Sequence, residues 1–164
     1  MKRIKLTQGQ FALVDNEDFA KVSGYKWYAV KHRNTFYALT SIRKGNKITS
    51  LKMHRLILGL RRCDGKITDH RDRNGLNNQK ANLRLCTNQQ NGQNKRPQKG
   101  GTSKYKGVYW HKPREKWCGK VATNGKNQHL GYFVGEAEAA KAYDKKAKEL
   151  FGEFAYLNFP ERGE

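Results

Sequence analysis

Four polar side chains in the first half of the chain have the types and spacing that metal-assisted proton transfer needs. Asp69 and His70 end a predicted strand, Asn82 begins the next one, and Asn91 lies on the helix that follows. Oxygens of Asp69 and Asn91 suit Mg²⁺, which usually keeps several waters. His70, with an ordinary pKa of about 6.5, can take a proton from water, and Asn82 can fix its tautomer by accepting from a ring nitrogen. The alternative is that the Asn residues only build turns.

The segments around these residues predict a strand, a loop, a strand and a helix, an order that can bring the four side chains together. Strands are predicted over 66–70 and 83–86, and Thr87 or Asn88 can cap a polar helix running toward Lys95. Upstream, the pattern predicts strands over 26–30, 35–39 and 47–51 and a helix over 53–60. His54 lies on that helix, where packing or a phosphate contact is favoured over catalysis.

The C-terminal region predicts three consecutive strands followed by one amphipathic helix. The strands are expected over 105–111, 116–123 and 126–133, with a two-residue hairpin turn at Asn124-Gly125, and the helix over 136–151. Residues 101–132 carry 7 basic and 1 acidic side chains, whereas residues 133–164 carry 5 basic and 7 acidic ones. This distribution predicts a basic sheet that faces an anion while the helix covers its other side.

Charge and composition narrow the function classes. The 164 residues include 34 Lys and Arg against 14 Asp and Glu, a net charge of +20, which indicates a polyanionic partner and favours nucleic acid. No apolar run approaches the roughly 18 residues of a membrane span, and the run at 11–14 is too short for a signal peptide. Cys63, Cys86 and Cys118 are too far apart for a disulfide framework or a zinc site with paired cysteines, and are expected to be reduced thiols.

One stretch of the chain, over roughly residues 50–95, resembles a nuclease family. It resembles the HNH homing endonucleases, in the branch with Asn in place of the final His, through Met53-His54-Arg55, Asp69-His70, Asn74-Gly75-Leu76-Asn77-Asn78, Asn82-Leu83-Arg84 and Cys86-Thr87. The resemblance implies that Asp69 and a residue of the following helix bind one divalent metal, that His70 is the general base and that Asn82 orients it. The helix residue is Asn91 by position, with its neighbours Asn88 and Asn94 as the alternatives. The zinc-binding cysteine pairs of many members are missing, so no zinc is expected.

A second resemblance covers residues 103–160. The chain resembles the Apetala-type (ethylene-response-factor) DNA-binding domain at Ser103–Val108, Lys116-Trp117, His129–Phe133, Glu138–Asp144 and Leu157–Pro160. That family lays a three-stranded sheet in the major groove. Carried over by position, the residues facing DNA would be Lys106, Tyr109, His111, Lys116, Lys120, Asn127 and His129. Lys, Tyr, Asn and His replace arginines and a tryptophan of the plant pattern at several positions, so the base specificity is not predicted.

Together the patterns predict an α+β protein with an N-terminal ββα-metal nuclease domain (residues 1–95), a basic linker (96–104) and a small C-terminal three-stranded antiparallel sheet packed on one helix (105–160). Basic residues near the motif and linker are expected to hold the DNA backbone: Arg71, Arg73, Arg84, Lys95, Arg96 and Lys104.

The predicted activity is site-specific, homing-type cleavage of double-stranded DNA that leaves 5′-phosphate and 3′-hydroxyl ends, with one Mg²⁺ or Mn²⁺ per active site. No membrane partner is expected. A monomer is favoured, in the cytoplasm of a bacterial or phage-infected cell. The alternatives are a DNA-binding regulator without nuclease activity and a ribosomal-type RNA-binding protein.

Overall fold

The chain forms two compact units, residues 1–91 and the segment from Gly92 onward. The computed structural model describes residues 1–32, 34–61, 64–98 and 100–160. The boundary falls before the segment 96–104 that we predicted as a linker, and that segment belongs to the second unit. Cys63 lies outside the described residues, and Cys86 and Cys118 are free thiols.

The first unit is built from small antiparallel sheets and short helices. β1 pairs with β2, β4 lies between β3 and β5, and β6 pairs with β7. The strands are β1 (Lys2–Lys5), β2 (Phe11–Val14), β3 (Tyr28–His32), β4 (Thr35–Lys44), β5 (Lys47–Lys52), β6 (Ile67–His70) and β7 (Leu83–Cys86). The helices are α1 (Asn16–Ser23), α2 (Met53–Ile57), α3 (Asn88–Asn94) and a 3₁₀ turn at Lys80–Asn82. α3 crosses the boundary between the two units.

The core of the first unit lies between these elements. Ala12 and Val14, alternate residues of β2, are fully buried, as period-two alternation requires of a strand with one covered face. Trp27 is buried beside them and donates its indole N–H to the carbonyl of Val22 at 2.8 Å. Met53 and the other buried members of α2 join the same cluster, so α2 is fixed by burial of its apolar side chains.

The loop between β6 and β7 is held against the sheets on two sides. Leu13 of β2 donates its backbone N–H to the Leu76 carbonyl and accepts from the Asn78 N–H, both at 2.8 Å. At Gly75, a Cβ atom would lie 2.4 Å from the Phe36 carbonyl oxygen, so only glycine fits this close approach. The middle of the loop is therefore held by backbone hydrogen bonds to β2 and by close contact with β4.

The second unit is a three-stranded antiparallel sheet with one long helix on one face. Its elements are β8 (Val108–His111), β9 (Lys116–Thr123), β10 (Lys126–Phe133), α4 (Glu136–Phe151) and two 3₁₀ turns, Lys112–Arg114 and Gly152–Phe154. β9 is central, and α4 packs on the sheet through Val121, Tyr143, Ala147 and Phe151. Asn124 and Gly125 have φ of +50° and +73°, which confirms the predicted hairpin turn.

Candidate active site

The hairpin of β6 and β7 places the two acid–base candidates side by side. Asp69 pairs with Arg84 across the hairpin and His70 pairs with Leu83, and His70 is the last residue of its strand. Asp69 and His70 are only 7% and 4% exposed, unusually low values for polar side chains. Interactions with neighbouring protein groups must therefore replace most of the hydration of both side chains.

Asp69 is bound by a buried arginine. Arg84 donates from Nε and Nη2 to Oδ2 of Asp69, at 3.0 and 2.7 Å, and is itself only 7% exposed. This corrects our expectation that Arg84 holds the DNA backbone, because its guanidinium points into the hairpin rather than outward. A buried carboxylate needs such a partner to offset its loss of hydration.

His70 lies in a cluster of rings. Its ring centroid is 5.1 Å from that of His54 on α2 and 5.8 Å from that of Tyr37 on β4, and the other two rings are 6.0 Å apart. Burial lowers the pKa of His70 below its ordinary value and lowers that of His54 further, so both imidazoles are neutral at pH 7. His54 is buried and packs against the rings of His70 and Tyr37, in line with the packing role that the sequence favoured over catalysis. Tyr37 was missed, because a lone aromatic residue more than thirty positions away carries no local signal.

Asn82 organises the loop that follows His70. Its Oδ1 accepts the backbone N–H of Asp72 at 3.0 Å, and its Nδ2 donates to Asp72 Oδ1 and to the Asn77 carbonyl at 2.9 and 2.8 Å. We expected Asn82 to accept a hydrogen bond from an imidazole nitrogen. In the structure its amide binds Asp72 and Asn77 of the loop instead. Asp72 is a second missed residue, and its bond to the Asn74 N–H at 2.8 Å is an Asx turn that the sequence Asp-x-Asn could have suggested.

Asn91 lies on α3, one turn beyond the cap. Thr87 caps the helix as predicted, since its Oγ1 accepts the Gln90 N–H at 3.2 Å while Gln90 Oε1 accepts the Thr87 N–H at 2.8 Å. Asn91 is half-buried, Asn88 is exposed and Asn94 is buried. Within the described residues, no group of three or more His, Cys, Asp or Glu side chains could hold a metal.

Comparisons of the sequence with known proteins assign the chain to a family. The HNH endonuclease family model matches residues 52–93, which include α2, β6, β7 and most of α3. The chain is 37% identical over 157 residues to "Uncharacterized HNH endonuclease L560" of Acanthamoeba polyphaga mimivirus, covering 92% of this chain and 76% of that protein. The chain belongs to the HNH endonuclease family.

A phage protein also resembles this HNH endonuclease. "Protein 3.8" of Escherichia phage T7 is 38% identical over 91 residues, which cover 56% of this chain and 74% of that protein. No solved structure matches the chain. As a member of its family the protein is a DNA endonuclease, and HNH nucleases generally use a divalent metal. In the part of the chain that the structure describes, no helix is long and apolar enough to cross a membrane.

The second unit of the HNH endonuclease gathers most of the predicted DNA-facing residues on one surface. The register pairs Tyr109 with Cys118 and His111 with Lys116 between β8 and β9, and His129 with Lys120 and Asn127 with Ala122 between β9 and β10. Residues paired across a ladder share a face, so all these side chains lie opposite α4. We call this surface the outer sheet face: Tyr109, His111, Lys116, Cys118, Lys120, Ala122, Asn127, His129 and Tyr132.

Aromatic and thiol groups set the shape of the outer sheet face. Cys118 is buried at its centre, with Sγ 3.2 Å from Nδ1 of His129. A hydrogen bond to Cys118 raises the pKa of Tyr109 to about 12, so its hydroxyl remains a donor at neutral pH. The Lys120 ammonium lies 4.9 Å from the Tyr109 ring centroid. Cys118 and Tyr132 were not among the predicted residues, although strand alternation from Tyr109 and Lys120 could have indicated both.

The remaining basic candidates have different environments. Lys106 donates from Nζ to the carbonyls of Gln93 and Lys95, at 2.5 and 2.8 Å, which corrects its assignment as a DNA-facing residue because its charge serves backbone carbonyls. The exposed candidates are Arg71, Lys95, Arg96 and Lys104, and Arg73 is half-buried.

Proposed function

We propose that this HNH endonuclease is a site-specific, homing-type enzyme that cleaves double-stranded DNA with one divalent cation, Mg²⁺ or Mn²⁺, and leaves 5′-phosphate and 3′-hydroxyl ends. The placement of Asp69 beside His70 at the end of β6 carries this proposal. A carboxylate bound by Arg84 and a neutral imidazole at one strand end are the metal ligand and the base that hydrolysis of a phosphodiester requires.

The donor set fits a hard cation. Asp69 offers a carboxylate and Asn91 an amide oxygen, and oxygen ligands with several retained waters are typical of Mg²⁺. The two hydrogen bonds that Arg84 donates to Oδ2 fix the direction of the buried Asp69 carboxylate. When bound, the cation would stabilise negative charge on the phosphate and on the leaving oxygen.

His70 would take the proton of the attacking water. Its lowered pKa keeps the ring unprotonated at neutral pH, the only form that can accept a proton. Contacts with His54 and Tyr37 restrict the ring on two sides, so a change in its orientation would require the cluster to repack. Asn82 supports this step indirectly, by fixing the loop that begins at Arg71.

The second unit would supply site recognition as an Apetala-type domain. The outer sheet face presents lysines, imidazoles and amides on an antiparallel sheet, and such a sheet fits the major groove. The exposed basic residues Arg71, Lys95, Arg96 and Lys104 would hold the backbone. Lysines rather than arginines dominate the face, which favours phosphate contacts over bidentate reading of guanine.

A plasmid-cleavage assay with the His70→Ala variant tests this function. We expect the rate to fall on the order of 10²-fold or more with Mg²⁺, while duplex binding stays near that of the wild type. The control is Ile48→Ala, which changes an exposed side chain on β5 of the same unit and should cut normally. Cleavage by His70→Ala at the wild-type rate, or cleavage by the wild type that EDTA leaves unchanged, would contradict the proposal.

A further inference from the structure

A shallow groove of about 610 Å³ lies in the first unit beside the loop that joins β6 to β7. The hairpin of β1 and β2, the start of β4 and the loop itself line it. The residues that matter for the argument are Arg3, Phe11, Asn34, Phe36, Asn74 and Leu76. Its described lining residues include no carboxylate, so the groove favours an anionic or neutral ligand over a cation.

An aromatic ring and a guanidinium are stacked at one side of this groove. Phe11 is 39% exposed because it alternates with the buried Ala12 and Val14 along β2, and Arg3 lies with Cζ 4.2 Å from its ring centroid. The register pairs Arg3 with Leu13 and Lys5 with Phe11, so both cations share the outer face of the hairpin with the ring. A ring with a guanidinium stacked on it, next to a further positive charge at Lys5, is a combination that single-stranded nucleic acid binds through base stacking and charge.

The groove is continuous with the loop of the active site. Asn74 lies four residues after His70, and its Oδ1 accepts the Leu76 N–H at 3.1 Å, which fixes the amide at the edge of the groove. Leu76 also accepts the Leu13 N–H, so the hairpin and the loop form one backbone-bonded surface. The groove and His70 are therefore joined through the same short loop of the first unit.

We propose that this groove binds an unpaired nucleotide of the DNA substrate, with its base stacked on the exposed pair of Phe11 and Arg3 and its phosphate beside Lys5. The proposal rests on the DNA-endonuclease activity described above. The exposed Asn34 carries the paired donor and acceptor groups of an amide, which match base edges, and Asn74 adds its amide N–H₂. A duplex backbone would need only cations, whereas the apolar walls at Phe36 and Leu76 suit an exposed base.

Fluorescence anisotropy on the full chain tests the groove with two labelled probes of about 20 nucleotides, oligo(dT) and a duplex, at about 200 mM salt to limit nonspecific charge binding. We expect Phe11→Ala to weaken oligo(dT) binding about tenfold and duplex binding less than about twofold, because stacking is lost. Phe11→Trp should restore oligo(dT) binding. Arg3→Ala, which leaves the ring in place, should weaken it severalfold.

Ile48→Ala is the matched control, since Ile48 is a 66% exposed apolar residue on β5 of the same unit. Equal losses on both probes, or a similar loss of oligo(dT) binding for Ile48→Ala, would overturn the proposal. Plasmid cleavage by the wild type is measured in parallel. If the wild type cleaves and Phe11→Ala binds oligo(dT) normally, only the groove assignment fails; if the wild type does not cleave, the proposed function fails.

Discussion

The two units hold their polar candidate residues in opposite ways. In the first unit Asp69, His70 and Arg84 are each less than 10% exposed and bind one another or neighbouring rings. In the second unit Lys116 and Lys120 stand exposed on the outer sheet face, fixed mainly by the strand register. A buried polar network depends strongly on each member, whereas an exposed face distributes its interactions over many side chains.

The largest loss of stability is expected at Arg84, in the buried polar network of the first unit. In Arg84→Ala, the Asp69 carboxylate stays buried without its charge partner, and the free energy of unfolding should fall by about 3–5 kcal/mol. Urea unfolding followed by circular dichroism measures this. The double variant Asp69→Asn/Arg84→Met removes both charges and should recover part of the loss; if it is as unstable as Arg84→Ala, burial of an uncompensated charge is not the cause.

A smaller loss is expected at Asn82. Asn82→Ala removes three part-buried hydrogen bonds to Asp72 and Asn77 and should lower the free energy of unfolding by about 2 kcal/mol, because the loop loses the donor and acceptor that hold it. Cleavage should fall as well, since the loop follows directly after His70. Asn46→Ala, at an exposed asparagine in the turn between β4 and β5, is the control. Retention of full stability in Asn82→Ala would show that the loop does not need this amide.

The ring cluster should make the first unit sensitive to mild acid. The pKa of His54 lies well below 6.5 in the folded chain because of burial, and near 6.5 in the unfolded chain. The unfolded chain therefore takes up a proton that the folded chain excludes, so stability is full above pH 6.5 and is lost as pH falls below it, by at most about 1.4 kcal/mol per pH unit for this group.

The His54→Phe variant isolates that contribution. It keeps a ring in the cluster and removes the titrating group, so the melting temperature should fall less between pH 7 and pH 5.5 than in the wild type. Ile48→Ala, at an exposed position of the same unit with no titrating group, should leave the wild-type dependence unchanged. Parallel curves for the wild type and His54→Phe would contradict the burial argument.

The smallest effect is expected on the outer sheet face. Lys120→Ala should leave the free energy of unfolding within about 0.5 kcal/mol of the wild type, since Lys120 is exposed. Duplex binding should weaken severalfold, and the slope of log K against log salt should become shallower by about 1. Lys148→Ala, an exposed lysine on α4, should leave the slope as it is. Identical salt slopes for the two variants would show that Lys120 does not contact DNA phosphates.

Much of the fold could be predicted because local patterns decided it. β9, β10 and α4 have the bounds predicted from alternation, the Asn-Gly turn and the apolar stripe of the helix. β1, β2 and α1 were not predicted, since β1 has only one half-buried position and shows no period-two pattern. Gly107 shows a similar limit: a Cβ there would lie 2.0 Å from the Tyr143 ring, a contact between residues 36 positions apart.

The sequence by itself determined the charge of +20, the order of the elements and the adjacency of Asp69 and His70, because these depend on composition, spacing and short-range motifs. Only the tertiary structure decided the partners of those residues. Arg84 was expected on DNA and binds Asp69, Asn82 was expected on an imidazole and binds the loop, and Lys106 was expected on DNA and binds backbone carbonyls. Direction and burial of a polar side chain depend on which distant groups surround it, and no local pattern contains that information.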